Sequence, residues 1–228
     1  MNKKIILQNL TKSFTKTKKI NVLNNINFTF KIGKIYSIMG PSGSGKSTLL
    51  NILSLLDKPT KGNILFDNIN LNLNNIEQND IIRSKNIGIV YQDKNLLGDF
   101  TALENILLAR LTLNDNNIKA LEDSKKIIKK VGLLNRIDHI PSELSGGEAQ
   151  RIAIARAIIN NPQIILADEP TGSLDNKTSK EIFKILFKLK NKKRIIVFAT
   201  HNRYFANMAD CKLHLIDGKI KIINGKFK

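Results

Sequence analysis

Apolar runs of two kinds predict strands in the N-terminal part of the chain. Residues 3–9 predict one strand, and residues 22–30 alternate apolar and polar side chains as a half-buried strand does. The continuous runs at 34–39 and 87–91 predict buried strands, with a short strand at 63–66 between them. Strands therefore dominate the predicted structure up to about residue 92.

A helical pattern replaces the strand pattern from about Asp93. Apolar side chains at helical spacing predict one amphipathic helix around 103–111 and another around 118–131. This block ends near Pro141 and looks like an insertion in an α/β core. Before it, the asparagine-rich run at 67–79 predicts a surface turn and a short helix.

Strands and helices alternate again in the C-terminal part of the chain. Residues 164–167 predict a buried parallel strand, 177–189 a helix and 195–199 another strand. A final hairpin at 212–223 is predicted to turn at Asp217-Gly218. The whole pattern indicates an α/β protein.

The amino-acid composition is that of a globular protein without disulfides or membrane-spanning segments. Hydrophobic residues make up 42% and charged residues 25% of the 228 residues, which is typical of a globular protein. Cys211 is the single cysteine, so the chain has no internal disulfide, and we expect its side chain to be buried as a small apolar group. Met1 leads directly into a strand, and no apolar run approaches the roughly 18 residues of a membrane span. We therefore expect a cytoplasmic protein that reaches a membrane only through partners.

The net charge of +18 invites comparison with nucleic-acid-binding proteins. Of the 37 basic residues 30 are lysines, scattered without the aromatic residues that stack on bases. Abundant lysine, asparagine and isoleucine together indicate a compositional bias, so no specific nucleic-acid partner is predicted. A secondary attraction to anionic lipid stays open as an alternative.

Residues 40–48 predict a phosphate-binding loop between the buried strand at 34–39 and a helix. Glycines at three positions allow successive backbone N–H groups to turn inward around phosphate oxygens, and the helix N-terminus adds partial positive charge. Lys46 can reach the β- and γ-phosphates, and the Ser47 hydroxyl can bind Mg²⁺. The loop reads Gly40-Pro41-Ser42-Gly43-Ser44-Gly45-Lys46-Ser47-Thr48.

Polar residues follow three of the predicted buried strands. Gln92 follows the strand at 87–91, and His201 comes directly after the strand at 195–199 and Thr200. Asp168 and Glu169 end the strand at 164–167; this pair suits a Mg²⁺-organising aspartate and a base for water. A purely structural acidic turn is the alternative.

Two further features are ambiguous by themselves. Phe14, in a lysine-rich loop, is equally suited to stacking on adenine and to anchoring that loop. Ser145 is predicted to cap a helix that begins with Gly146, Gly147 and Glu148, where the two glycines allow close approach of an anion.

These motifs, in this order, resemble those of the ATP-binding subunits of ABC transporters over essentially the whole chain. The discriminating motif is Leu144-Ser145-Gly146-Gly147-Glu148, since the phosphate loop alone is shared with many other nucleotidases. The resemblance implies a P-loop NTPase (ABC ATPase) core with an antiparallel β subdomain and an inserted helical subdomain. In one domain spanning 1–228, the core would comprise 1–92 and 148–228, and the helical subdomain 93–147.

The resemblance also implies the site residues. ATP would lie in a homodimer between residues 40–48 of one subunit and residues 145–148 of the other, with Phe14 on the adenine and Asp175 at the interface. Mg²⁺ would be organised by the side chains of Ser47, Gln92 and Asp168. The catalytic residues would be Glu169, His201 and Lys46, with Glu169 polarising water and His201 contacting the γ-phosphate.

Within the family, the chain most resembles the ATPase of lipoprotein-releasing (Lol) systems, on the segments 99–105, 139–145 and 167–175. This implies integral membrane partners, acylated lipoproteins as cargo, and a peripheral position at the cytoplasmic face of the inner membrane. Departures from the relatives' usual residues occur at Gly98, Ala149 and Asn202.

Other functions remain as alternatives. Macrolide-export and cell-division ATPases share the segment 167–175. A soluble ABC ATPase acting on nucleic acid would usually contain two fused ATPase units or a long coiled coil, which this chain lacks. A regulatory module without hydrolysis would be expected to lack Glu169 or His201, and both are present.

Overall fold

Two β-sheets organise the protein in the structure, a computed structural model that describes residues 4–15, 19–67, 69–71, 73–113 and 116–225. The strands are β1 Lys4–Thr15, β2 Lys19–Lys31, β3 Ile35–Met39, β4 Lys61–Phe66, β5 Ile69–Asn70, β6 Ile87–Val90, β7 Ile164–Asp168, β8 Ile195–Ala199, β9 Cys211–Ile216 and β10 Lys219–Gly225. The helices are α1 Lys46–Leu53, α2 Ile76–Asn86, α3 Ala102–Leu111, α4 Asn117–Lys130, α5 Gly146–Ile158, α6 Asn176–Lys188 and α7 Arg203–Asn207, with 3₁₀ turns at Leu134–Arg136 and Pro141–Glu143.

The larger sheet has the strand order β10-β9-β3-β8-β7-β6. β6, β7, β8, β3 and β9 are parallel, and β10 closes the edge as the antiparallel arm of the predicted C-terminal hairpin. Both faces are covered, so the central strands β3 and β8 are buried and mostly apolar, as is typical of parallel strands; the exception, Ser37 of β3, donates its hydroxyl to the Ala206 carbonyl oxygen. One face packs on α1 and the smaller sheet, and the other packs on α5, α6 and α7.

The smaller, antiparallel sheet has the order β2-β1-β4-β5 and packs over α1. Three aromatic rings join it to β3: the Phe28 and Phe30 centroids are 4.7 Å apart, and the Phe30 and Tyr36 centroids 4.9 Å apart, all edge-on. The Lys31 N–H donates to the Tyr36 hydroxyl at 2.6 Å. Burial raises the pKa of Tyr36 to about 12, which keeps this hydroxyl neutral in the core.

A helical segment lies between β6 and β7. α3 and α4 pack against α5 through a separate apolar cluster that includes Ala102, Ile106, Ile128 and Ile152. Thr101 caps α3 and forms a capping box with Glu104, which explains why the helix begins there. None of the helices in the described ranges is long and apolar enough to cross a membrane.

Some local predictions were wrong. Phe14 was predicted in a loop, but β1 continues to Thr15 and pairs Phe14 with Ile20, because the two long strands form a ribbon that extends past the core. The strand predicted at 87–91 ends at Val90. α7, capped by Asn202, was not predicted because five residues are too few to establish a helical period.

The asparagine-rich run was predicted more closely. The Asn75 side chain caps α2 by accepting from the Gln78 N–H at 3.0 Å, so a helix follows a turn as expected, although α2 continues to Asn86 and the short strand β5 at Ile69–Asn70 was not predicted. Two asparagines of the run, Asn68 and Asn72, lie outside the described residues, as do residue 3 of the first predicted strand and 16–18 of the lysine-rich loop. Cys211 is buried at the start of β9, as predicted.

Candidate functional site

A cavity of about 530 Å³ opens at the carboxyl edge of the larger sheet. In open α/β sheets this edge is where ligands bind. Most of the predicted phosphate loop lies along it, together with the polar residues that follow three of the strands. The lining residues are Val22, Gly40, Ser42, Gly43, Gly45, Lys46, Ser47, Thr48, Gln92, Asp168, Glu169 and His201.

The phosphate loop connects β3 to α1 in a conformation that requires glycine. A Cβ on Gly40 would lie 2.4 Å from the Leu215 carbonyl oxygen, closer than any real contact. Gly45 caps α1 with φ of 98°, in the left-handed region that favours glycine. No side chain of the described residues caps this helix, so its first N–H groups face the cavity available for an anion.

Two side chains of the loop also indicate an anionic ligand. The Lys46 ammonium donates to the Gly40 and Pro41 carbonyl oxygens at 2.9 and 3.0 Å, which holds the cation over the loop. The Ser44 hydroxyl is buried and has no hydrogen-bond partner among the described residues. Because buried polar atoms are nearly always paired, this loop fits a ligand with several acceptor oxygens, such as a phosphate chain.

Asp168 ends β7 beside the loop and receives a hydrogen bond from the Ser47 hydroxyl. Burial, and secondarily the charge of Glu169, raises the pKa of Asp168 above its ordinary value; the Ser47 bond and Lys46 act in the opposite direction. A buried carboxylate that is costly to ionise favours a cation beside it.

Gln92, just beyond β6, adds an amide oxygen to the two groups that could bind a metal ion, the Ser47 hydroxyl and the Asp168 carboxylate. Its side chain lies so close to Gly172 that a Cβ there would be 3.2 Å from the Gln92 Nε2. No group of three His, Cys, Asp or Glu side chains within the described ranges could hold a metal ion. One carboxylate, one hydroxyl and one amide oxygen instead fit Mg²⁺, which takes few protein ligands beside phosphate oxygens.

Glu169 and His201 both line the cavity and contact each other. The Glu169 Oε1 is 3.0 Å from the His201 Nδ1, and the backbone N–H of His201 donates to Oε2 at 3.4 Å. Glu169 has φ of 42°, uncommon for a side chain other than glycine, asparagine or aspartate, and its N–H donates to the Ala199 carbonyl at 3.1 Å. Strained backbone of this kind clusters at functional sites. The carboxylate side chain is 14% exposed and the imidazole 73%.

Residues 145–148 do not reach this cavity. Ser145 caps α5 as predicted, and its N–H donates to the Glu148 Oε2 at 2.9 Å in a capping box. This bond, with a second one from Arg136, lowers the pKa of Glu148 to about 2. A Cβ on Gly147 would lie 2.5 Å from the Thr178 methyl group, so α5 begins in close contact with α6.

Phe14 and Asp175 also do not line the cavity. The Phe14 ring is 46% exposed, with the Lys12 ammonium 4.9 Å from its centroid. Asp175 caps α6 by accepting from the Lys177 and Thr178 N–H groups at 2.9 and 3.0 Å. These bonds, led by those from Thr178, lower the pKa of Asp175 and keep it ionised.

Val22 was not predicted as a site residue from the sequence. This β2 residue lines the cavity, and a Cβ on Gly45 would lie 2.9 Å from its Cγ1. Val22 is one apolar residue of an alternating strand, and such a pattern does not indicate that it lines a cavity. Its place there depends on how the two sheets pack.

A second cavity, of about 650 Å³, lies between α2, β6, α3 and α5; we call it the helical groove. Asn160, just after α5, forms its base by donating to the Ser84 and Ala109 carbonyl oxygens at 3.2 and 2.8 Å. The groove is lined by Asp80, Ile81, Arg83, Ser84, Ile87, Gly88, Ile89, Tyr91, Asn95, Ala109, Thr112, Arg156, Ala157 and Asn160.

Known proteins resemble this chain in sequence and in structure. The ABC transporter family profile matches residues 23–172. The lipoprotein-releasing system ATP-binding protein LolD of Wigglesworthia glossinidia brevipalpis is 46% identical over 96% of this chain and 98% of its own, and LolD of Rickettsia bellii is 43% identical over 97% and 99%. The solved dimer of the ATP-binding cassette MJ0796, in a post-hydrolysis state bound to ADP and Pi, superposes with a TM-score of 0.89 at 39% identity, covering 97% of this chain and 100% of that chain.

Proposed function

The chain belongs to the ABC transporter family, and on that premise we propose that it is the ATP-hydrolysing subunit of a transporter that releases lipoproteins from the inner membrane. The predicted ABC ATPase fold, with its antiparallel sheet and helical part, is confirmed, and so is the ATPase activity of the family. Near full-length similarity to LolD proteins is the observation that supports lipoprotein release over the alternatives.

The loop at 40–48 would bind the phosphates of ATP. Its N–H groups and the Ser44 hydroxyl supply donors, and Lys46 would exchange its two carbonyl contacts for phosphate oxygens. Ser47, Gln92 and Asp168 would hold Mg²⁺, which when bound neutralises charge on the phosphate oxygens. Phe14 would stack on the adenine from outside the cavity.

Glu169 would act as the general base. The Oε1 atom is 3.0 Å from the His201 Nδ1, whereas Oε2 accepts only the longer bond of 3.4 Å from the His201 backbone N–H. Oε2 is therefore the less tightly held oxygen, and it would accept a proton from the attacking water. The exposed His201 imidazole would hold the carboxylate in place through Nδ1 and contact the γ-phosphate.

A second copy of the chain would complete the site. Residues 145–148 and Asp175 lie away from the cavity of their own chain, so they would reach ATP only across a homodimer interface. The capped N-terminus of α5 is suited to an anion in that arrangement. Within each copy, 1–92 and 148–228 would form the core and 93–147 the helical subdomain.

The helical groove would receive the membrane subunits. It combines apolar side chains with a charged rim, and its Tyr91 directly precedes Gln92, so a partner seated there would lie one residue from the nucleotide site. The chain would accordingly be peripheral, at the cytoplasmic face of the inner membrane. No nucleic-acid partner is required by this function.

Lipoprotein release gives ATP hydrolysis a physical purpose. Each buried CH₂ of an acyl chain is held in the bilayer by about 0.8 kcal/mol, so a multiply acylated protein does not leave spontaneously. Depletion of the protein in its native cell should therefore leave mature lipoproteins in the inner membrane. Normal lipoprotein sorting with a division defect or with sensitivity to an exported drug would refute this cargo in favour of the related systems.

The hydrolytic part of the proposal has its own test. Glu169→Gln preserves the shape of the side chain but removes the base, so ATP should bind and accumulate a dimer that does not turn over. Size-exclusion chromatography with ATP and Mg²⁺ measures the dimer, and phosphate release measures turnover. Hydrolysis at the parent rate would show that another group activates the water.

A further inference from the structure

We propose that Arg156, a residue of α5, is the positioning residue for Gln92. The inference rests on the proposed role of Gln92 in holding Mg²⁺. Arg156 lines the helical groove and is absent from the nucleotide cavity, so it would act on the site only through the backbone that follows Gln92.

That backbone has an unusual shape. Lys94 and Asn95 both have positive φ, 61° and 48°, in the left-handed region, which asparagine tolerates but which costs energy for lysine. Two consecutive residues of this kind direct their carbonyl groups toward α5. The Arg156 guanidinium donates to the Asn95 oxygen at 2.6 Å and to the Lys94 oxygen at 2.8 Å. One side chain therefore holds the strained turn closed.

A second residue of α5 fixes the other end of the segment. The Gln150 side chain donates to the Tyr91 carbonyl oxygen at 3.3 Å. Gln92 thus lies between two attachment points on one helix, at Tyr91 and at Lys94. A helix is rigid over the distance between Gln150 and Arg156, so the segment has a defined path past the nucleotide cavity.

α5 itself is held at a fixed distance from β6. A Cβ on Gly88 would lie 2.1 Å from the Ala157 carbonyl oxygen, so strand and helix backbones are in contact next to Arg156. The opposite side of the segment is tied to the turn before α6, because the Lys94 ammonium donates to the Ser173 hydroxyl at 3.2 Å. The Gln92 side chain, which lines the cavity, lies beside Gly172 of the same turn.

Arginine is suited to this task in a way that lysine is not. Its planar fork presents two N–H groups to two carbonyl oxygens at once, whereas an ammonium is a compact and strongly hydrated charge. Burial lowers the pKa of Arg156, a sign that the guanidinium gives up hydration for these bonds. Loss of the Arg156 guanidinium should loosen the turn at Lys94 and Asn95 without changing the conformation of residues 40–48.

The experiment measures Mg²⁺ dependence and local opening in the full chain. The Glu169→Gln background prevents hydrolysis, and the ATP dissociation constant is measured by equilibrium dialysis without Mg²⁺ and across a Mg²⁺ titration. The variants are Arg156→Lys, Arg156→Gln and Gln92→Ala. Arg194→Lys is the matched control, since Arg194 is a buried arginine that also bridges two carbonyl oxygens, at Pro162 and Leu189, far from Gln92.

We expect the ATP dissociation constant without Mg²⁺ to stay within about twofold of the parent in the Arg156 variants. The Mg²⁺ midpoint should rise by about tenfold, as for loss of other residues that orient a metal ligand, and Gln92→Ala should raise it similarly. The double variant Arg156→Lys/Gln92→Ala should have nearly the same Mg²⁺ midpoint as Gln92→Ala, because both changes remove the same interaction between Gln92 and Mg²⁺. Hydrogen exchange at residues 93–97 should increase in both Arg156 variants and should stay unchanged in Gln92→Ala and Arg194→Lys.

Two results would overturn the inference. An unchanged midpoint in both Arg156 variants, with a raised midpoint in Gln92→Ala, would separate Arg156 from Gln92. An equal rise in Arg194→Lys would reduce the effect to general loss of stability. A normal midpoint in Gln92→Ala itself would instead refute the proposed metal role of Gln92, so the two failures are distinguishable.

Discussion

Gly88→Ala tests the closest backbone contact that positions the site. The added Cβ would lie 2.1 Å from the Ala157 carbonyl oxygen and 3.0 Å from the Pro162 Cγ. A relaxed carbon–oxygen contact is about 3.3 Å or longer, so β6 and α5 must separate by about 1 Å. Overpacking of this kind costs about 1–3 kcal/mol. For a chain of this size that corresponds to a melting temperature lower by about 2–12 °C.

Gly98→Ala is the matched control for this change. It is the same substitution at an exposed glycine with no atom within 4 Å of the new Cβ. Its unfolding free energy should stay within about 0.5 kcal/mol of the parent. Urea unfolding and scanning calorimetry measure both variants. If Gly88→Ala were as stable as Gly98→Ala, the close approach of β6 to α5, and with it the fixed position of Arg156, would be wrong.

The same contact has a functional consequence. A separation of β6 from α5 would move the Gln92 segment, which is attached to both, but would leave the phosphate loop on β3 and α1 unchanged. Gly88→Ala should therefore lower the turnover rate at saturating ATP while the ATP affinity without Mg²⁺ is retained. Equal losses of affinity and turnover would indicate a change that extends beyond this segment.

Three further predictions concern single side chains. Lys46→Ala should abolish tight ATP binding, measured by equilibrium dialysis, because the loop loses the cation nearest the transferred phosphate; an unchanged dissociation constant would refute the phosphate-loop assignment. Phe14→Ala should weaken ATP binding by about tenfold if the ring stacks on the base, and equal affinity would exclude the stack. The pKa of Glu148 is lowered from its ordinary value of 4.5 to about 2 in the folded state. The ionised side chain therefore stabilises the fold at pH values above 4.5, and this contribution is lost as the pH falls from 4.5 toward 2. Glu148→Gln should therefore show a smaller difference in unfolding free energy between pH 7 and pH 3 than the parent, measured by urea unfolding.

Local features of the site were predictable from the sequence. The order of strand, loop and helix around residues 40–48 depends on neighbouring residues only, and so does the cap formed by Ser145 and Glu148, three positions apart. Phe14 was placed wrongly for the opposite reason. Its strand is formed by pairing with Ile20, and pairing between strands leaves little trace in the local pattern of a polar segment.

The sequence by itself determined most of the helices and strands, the glycine-rich loop at 40–48 and the set of polar residues at strand ends. Only the tertiary structure decided which of them meet. The insertion of β3 between β8 and β9 places His201 beside the loop at 40–48, and the pairing of β7 with β8 sets Glu169 3.0 Å from His201. Strand order follows from burying apolar faces that are distant in sequence, so no local pattern encodes it. The same long-range packing keeps residues 145–148 out of the cavity and brings Arg156 to two carbonyl oxygens behind Gln92.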